Sequence, residues 1–116
     1  MQGKEMLNKC PQSVKDIIIK YFGSLDEFYA YVYQIGVNQH IGFKRTNQID
    51  PSEENNLKEF LEKVGIDPFF ADDLVREIIC DHDQLLADNY AQTLLGPNWK
   101  KKIDAFEAMM NNFDAN

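Results

Sequence analysis

Residues 72–88 read DDLVREIICDHDQLLAD, and the phase of their apolar and acidic positions decides the fold. On a helix advancing about 100° per residue from Asp73, Leu74, Ile78 and Leu85 fall between roughly 100° and 140°, and Val75, Ile79 and Leu86 between roughly 200° and 240°. Asp73, Glu77, Asp81, Gln84 and Asp88 fall together between roughly 0° and 80°. Both arcs hold their phase for about five turns. The expectation is one long helix over roughly 68–95. The competing arrangement is a break after Cys80, with Asp81 and Gln84 forming a capping box for a new helix. In the continuous helix His82 lies near 180°, inside the apolar arc and away from the acids beside it in sequence, because neighbouring residues on a helix point in different directions.

Helix punctuation continues outward in both directions. In CPQSVKDIIIKYFG, Pro11 stands near a helix start and Gly23 after its end, with Val14, Ile17, Ile18 and Tyr21 or Phe22 at helical spacing. Ser24 and Glu27 have the spacing of a capping box, followed by an apolar stripe from Leu25 through Phe28, Tyr29, Val32 and Ile35. Tyr29, Tyr31 and Tyr33 also alternate as a strand would, but the cap favours a helix. Residues 41–49, IGFKRTNQI, read as a loop. Two helices then open on the same phrase, IDP: Asp50 and Asp67 are placed to cap, Pro51 and Pro68 take the first helical position, and Gly65 closes the first of the two. After Gly96-Pro97, Trp99, Ile103, Phe106 and Phe113 mark one face of a last helix. The predicted fold is therefore all-α, a single domain over 1–116 built as a bundle of about five helices, with 1–9 and 114–116 frayed at its ends.

The 116 residues suffice for one hydrophobic core without a structural metal or disulfides. Cys10 and Cys80 are seventy positions apart, and with two histidines they make no zinc spacing, so reduced thiols and a cytoplasmic location are expected. No apolar run reaches the roughly 18 residues of a membrane span. The formal charge is −7, distributed unevenly: residues 67–95 hold seven acids against Arg76 alone, while the segments on either side are close to neutral. An acidic surface argues against nucleic acid or an anionic membrane as partner and suits a basic protein.

Motifs of catalysis are sparse. The serines at helix starts are placed to cap, no serine sits in a nucleophile elbow, and the isolated glycines make no phosphate loop. His82 and Asp83, with His40 upstream and Asp104 downstream, resemble the H…HD…D pattern of the HD-domain phosphohydrolases. That resemblance implies an all-helical metal-dependent enzyme holding a divalent ion with those four residues. It covers four single residues, and the family's domains are generally larger, with the last aspartate farther downstream. The reading preferred here has no catalytic residues, no metal and no cofactor.

The leading expectation is a small non-enzymatic binding module, of the kind of an inhibitor or immunity protein, that docks an acidic helix face on a basic, for example nuclease or nucleic-acid-handling, protein. Asp73, Glu77, Asp81, Gln84 and Asp88 would form that face. The acids at 73, 77 and 81 stand four apart with no lysine between them, and such uncompensated repulsion is easier to understand on a surface that something binds. The alternative is a structural or regulatory subunit forming a helical homodimer through its aromatic second helix and the Met109, Met110 and Phe113 end.

Overall fold

The caps written in the sequence set most of the observed boundaries. The computed structural model describes residues 2–81 and 90–113. Through them run seven helices: α1 (Gln2–Lys9), α2 (Gln12–Phe22), α3 (Leu25–Thr46), α4 (Ser52–Lys63), α5 (Pro68–Asp81), α6 (Tyr90–Leu95) and α7 (Trp99–Asn111). The fold class is all-α, with seven helices where five were expected.

Ser24 caps α3, its hydroxyl accepting from the Glu27 amide at 3.0 Å. The Glu27 carboxylate pairs with Lys102 of α7 at 3.3 Å, so that side chain also ties two helices together. Asp67 caps α5 by accepting from the Phe70 amide at 3.0 Å. Asp50 accepts from the Ser52 amide, also at 3.0 Å, and this bond lowers its pKa. At the end of α4 the Ile66 amide donates to the Leu61 carbonyl and the Gly65 amide to that of Glu62. This Schellman pairing needs the positive φ of Gly65, +107°.

Two expectations are corrected. Residues 41–49 are not a loop as a whole, since α3 continues to Thr46 and ends where Asn47 turns left-handed, at φ 57° and ψ 25°. Its last turns run past the core, which is why Ile41 and Phe43 are exposed and no apolar stripe marks them. Nor is the amino-terminal arm frayed. Eight residues are too few for a helix stable by itself, but α1 is held against α5, with Gly3 and Leu7 buried. A Cβ on Gly3 would come within 2.5 Å of the Ile78 Cα and N, so only glycine lets the two backbones approach this closely. Continuity of the expected long helix between α5 and α6 falls on 82–89, outside the described residues.

The core forms around α3, nine of whose residues are buried, including Tyr29, Tyr31 and Tyr33. Ile18 and Phe22 come from α2, Leu57, Phe60 and Leu61 from α4, and Leu74, Val75 and Ile78 from α5. Phe22 is the aromatic centre, meeting Phe28, Tyr31, Phe60 and Phe106 edge-on at centroid distances of 5.0 to 6.1 Å. Such T-shaped pairs add roughly 0.5–1.5 kcal/mol each beyond the area they bury. Helix α7 closes this side through Phe106, Met109 and Met110, with Phe113 following, all half-buried against the core. The Cα radius of gyration, 13.5 Å, matches the roughly 13 Å of a single compact domain of this length. Among the described residues no helix is long and apolar enough to cross a membrane.

Candidate functional site

Three of the five proposed contact residues lie in α5, and the structure separates them. Asp73 is exposed and Glu77 half-buried. Neither makes an ion pair or a side-chain hydrogen bond among the described residues. Asp81 is a correction: it is 1% exposed and cannot meet a partner. Its carboxylate accepts from the Gly3 amide at 3.1 Å, the Lys4 amide at 3.0 Å and the Tyr29 hydroxyl at 2.8 Å. The physical reason lies in its phase. Asp81 stands at the edge of the acidic arc nearest the apolar side, and α1 docks across that edge. The first amides of α1 have no partner within their own helix, and a carboxylate satisfies them while meeting the positive end of the helix dipole. Gln84 and Asp88, and with them His82 and Asp83, lie outside the described residues.

The other acids of this region also have internal roles. Asp67 caps, as above, and Asp72 joins a chain of charges between α4 and α5. Lys58 meets Glu54 at 2.6 Å and Asp72 at 2.8 Å, and Arg76 meets Asp72 at 2.8 Å. Burial pushes the Glu54 carboxyl up, but its hydrogen bonds from Lys58 and Gln39 outweigh that and hold it below the usual range. Asp72 is lowered chiefly by its bond from Lys58.

In line with Asp73 and Glu77, four residues before the first of them, Phe69 is 83% exposed. It also borders an open cavity of about 420 Å³ between α4 and α5, beside Glu59, Glu62 and Asp72. The sequence reading passed over Phe69, although its phase, about 40° from Asp73 on the same side, was available. An aromatic ring standing in an acidic row was the signal.

A second accumulation of negative charge lies where α3, α4 and α7 meet. Tyr31, Glu53, Asn56, Glu107, Met110 and Asn111 line a cavity of about 240 Å³. Burial pushes the Tyr31 hydroxyl up, with further contributions from the charges of Glu107 and Glu53. Burial also raises Glu107, and the charges of Glu53 and Asp104 raise it further. The sequence reading singled out neither glutamate, because they stand more than fifty positions apart on helices whose docking the pattern does not specify.

His40 borders a groove of about 220 Å³ with Phe43, Ile49, Ile79 and Cys80, its walls mostly apolar. Asp104 is exposed on α7. Among the described residues no three His, Cys, Asp or Glu side chains gather as metal ligands would. Cys80 is exposed and Cys10 buried, neither in a disulfide. Trp99 is half-buried and packs against Ala30 and Leu95. Compared with protein families, with curated proteins and with solved structures, the chain matches none.

Proposed function

We propose that the protein is a non-enzymatic binding module whose α5 face, Phe69, Asp73 and Glu77, docks on a basic surface of another protein. The observation that carries this reading is the row itself: an 83%-exposed phenylalanine followed at four-residue spacing by two acids without ion pairs among the described residues. Exposed aromatics supply much of the binding energy at protein interfaces, and flanking carboxylates supply orientation and rate of encounter. The row thus combines an anchor with a charge that selects the partner. The overall charge of −7 favours basic partners by the same physics. An acidic domain of this kind suits an inhibitor or immunity protein for a nuclease, because its carboxylates can stand where phosphates would.

The test is affinity capture from source-cell lysate at low and high salt, with the wild type beside the D73K/E77K and F69A variants. A basic protein retained at low salt, released at high salt and lost from both variants is the expected outcome. Equal capture by wild type and variants would remove the α5 face from consideration.

A further inference from the structure

We infer that the cavity between α3, α4 and α7, walled by Tyr31, Glu53 and Glu107, receives the guanidinium of an arginine side chain presented by a partner protein. This site is separate from the α5 row and stands whether or not that row binds anything.

Three observations converge. The first is the cavity, which is open and about 240 Å³ in volume. That is below the roughly 300 Å³ at which pockets for drug-sized molecules begin, and suited to one long side chain. The second is charge without compensation. Glu107 is half-buried with no ion pair or hydrogen bond among the described residues, and the only bonds that Glu53 accepts there are two from the Asn38 amide, both at 3.4 Å. Two carboxylates facing one cavity repel, and removal from water makes each costlier. Lys63 borders the adjoining cavity, which shares Asn56, Met110 and Asn111, yet it pairs with neither glutamate. The third observation points to a ligand independently of the acids. Tyr31 is 2% exposed, lines the cavity, and has no hydrogen-bond partner for its hydroxyl among the described residues. Its ring is fixed by stacking on Phe106 at 5.9 Å and by Phe22 edge-on at 6.1 Å. A phenol held this firmly, its hydroxyl open to the cavity and without a hydrogen bond to another described residue, offers a preorganised acceptor to whatever enters.

Guanidinium fits this set better than ammonium or a metal ion. It brings five N–H donors in one plane and no acceptor, against two carboxylates, a phenol oxygen and the amide oxygens of Asn56 and Asn111. The Met110 side chain gives its weakly hydrated face and methylene stem an apolar wall. A divalent metal suits the set less well, because among the described residues no third carboxylate, imidazole or thiol joins the two glutamates as a ligand.

The experiment titrates ¹⁵N-labelled protein with Nα-acetyl-arginine amide, following the side-chain amides of Asn56 and Asn111 and the backbone amides of Glu53 and Glu107. Saturable shifts at these four positions are expected, with affinity falling roughly tenfold or more in E53Q/E107Q and unchanged in E5Q/D26N, whose two acids are exposed and lie outside both sites. Should the double variant fail to fold, E107Q alone should still weaken binding severalfold. Three results would overturn the assignment: no saturable shift, undiminished binding by the folded glutamine variant, or equal affinity for Nα-acetyl-lysine amide. Free arginine, whose carboxylate meets the same glutamates, should bind more weakly than the amide. The reverse order would indicate a small-molecule site and overturn the choice of a partner's side chain.

Discussion

Replacing Asp81 by alanine separates a docking acid from a structural one. In the structure this carboxylate is the common acceptor for two amides of α1 and the hydroxyl of Tyr29, at 3.0 to 3.1 Å and 2.8 Å, in a place 1% exposed. Removing it leaves three donors without their acceptor. Each unsatisfied buried group costs about 1–3 kcal/mol. Lys4 is only part-buried, and water can reach its amide, so the total should be about 3–5 kcal/mol. For a chain of this length each kcal/mol lowers Tm by about 4 °C, which places the D81A variant about 12–20 °C below wild type. Tyr29→Phe, which removes one donor and keeps the carboxylate, should lower Tm by about 6 °C.

Thermal unfolding followed by circular dichroism measures both, and a double-mutant cycle tests whether the two changes share one interaction. If they do, Y29F should have little further effect on the D81A protein. A D81A protein melting within about 3 °C of wild type would refute the reasoning and return Asp81 to the candidate surface. Amide exchange adds a local reading, since losing the trans cap should speed exchange through Gln2–Lys9 before the rest of the fold opens.

Gly3→Ala should lower Tm about as far as D81A, because the added Cβ meets the Ile78 backbone at 2.5 Å and α1 must lift to relieve it; retention of wild-type Tm would show that α1 does not dock as described. Gly42→Ala should act in the opposite sense, raising stability by about 0.5–1 kcal/mol, since its Cβ meets nothing within 4 Å and it lies inside a helix. Glu107→Gln should remove from the acid side of the pH–stability profile a contribution that falls as pH rises, opposite in sign to those of Asp50, Glu54 and Asp72. With its folded pKa raised above 4.5, first by burial and then by Glu53 and Asp104, Glu107 favours folding below 4.5 and loses that contribution as pH rises through the raised value. Wild type should therefore lose more stability than E107Q over that rise, and parallel profiles would show that the repulsion is negligible.

How far the sequence could be read depended on the range over which each signal acts. Asp67, Ser24, Gly65 and the apolar stripes operate within one or two turns, and the helices they specify appear with the caps foreseen. The end of α3 was missed because its last turns bury little; the usable marks were Asn47 as a left-handed cap and Lys44 and Arg45 favouring the C-terminal end of the dipole. Helix α1 was missed because its stability is tertiary: Gly3 and Leu7 look unremarkable until α5 lies against them. Helical phase put Asp81 on the acidic side and could not reveal that a segment seventy-eight positions away would cover it. Phase was enough to find Phe69, had the aromatic residue been weighed along with the charges.

The acidity of 67–95 and the location of unpaired acids are different properties, and the structure divides them. Asp67 caps a helix, Asp72 pairs with Lys58 and Arg76, and Asp81 ties α1 to Tyr29, so most of the described acids in that segment serve the fold. Residues 1–66, nearly neutral by count, contribute Glu53 to a cavity where no cation answers it among the described residues. Net charge along a chain registers how many carboxylates a segment holds, whereas recognition depends on those left without a partner after folding. A basic protein attracted by the total charge would meet free carboxylates at two places, the Phe69–Asp73–Glu77 row and the Tyr31 cavity. The row presents them to water at low cost to the fold; the cavity holds two of them together against their mutual repulsion. A proton on Glu107 or an entering cation relieves that repulsion, so on the reading proposed above the cavity would have the larger electrostatic response to gain from a bound arginine and the row the larger part in encounter.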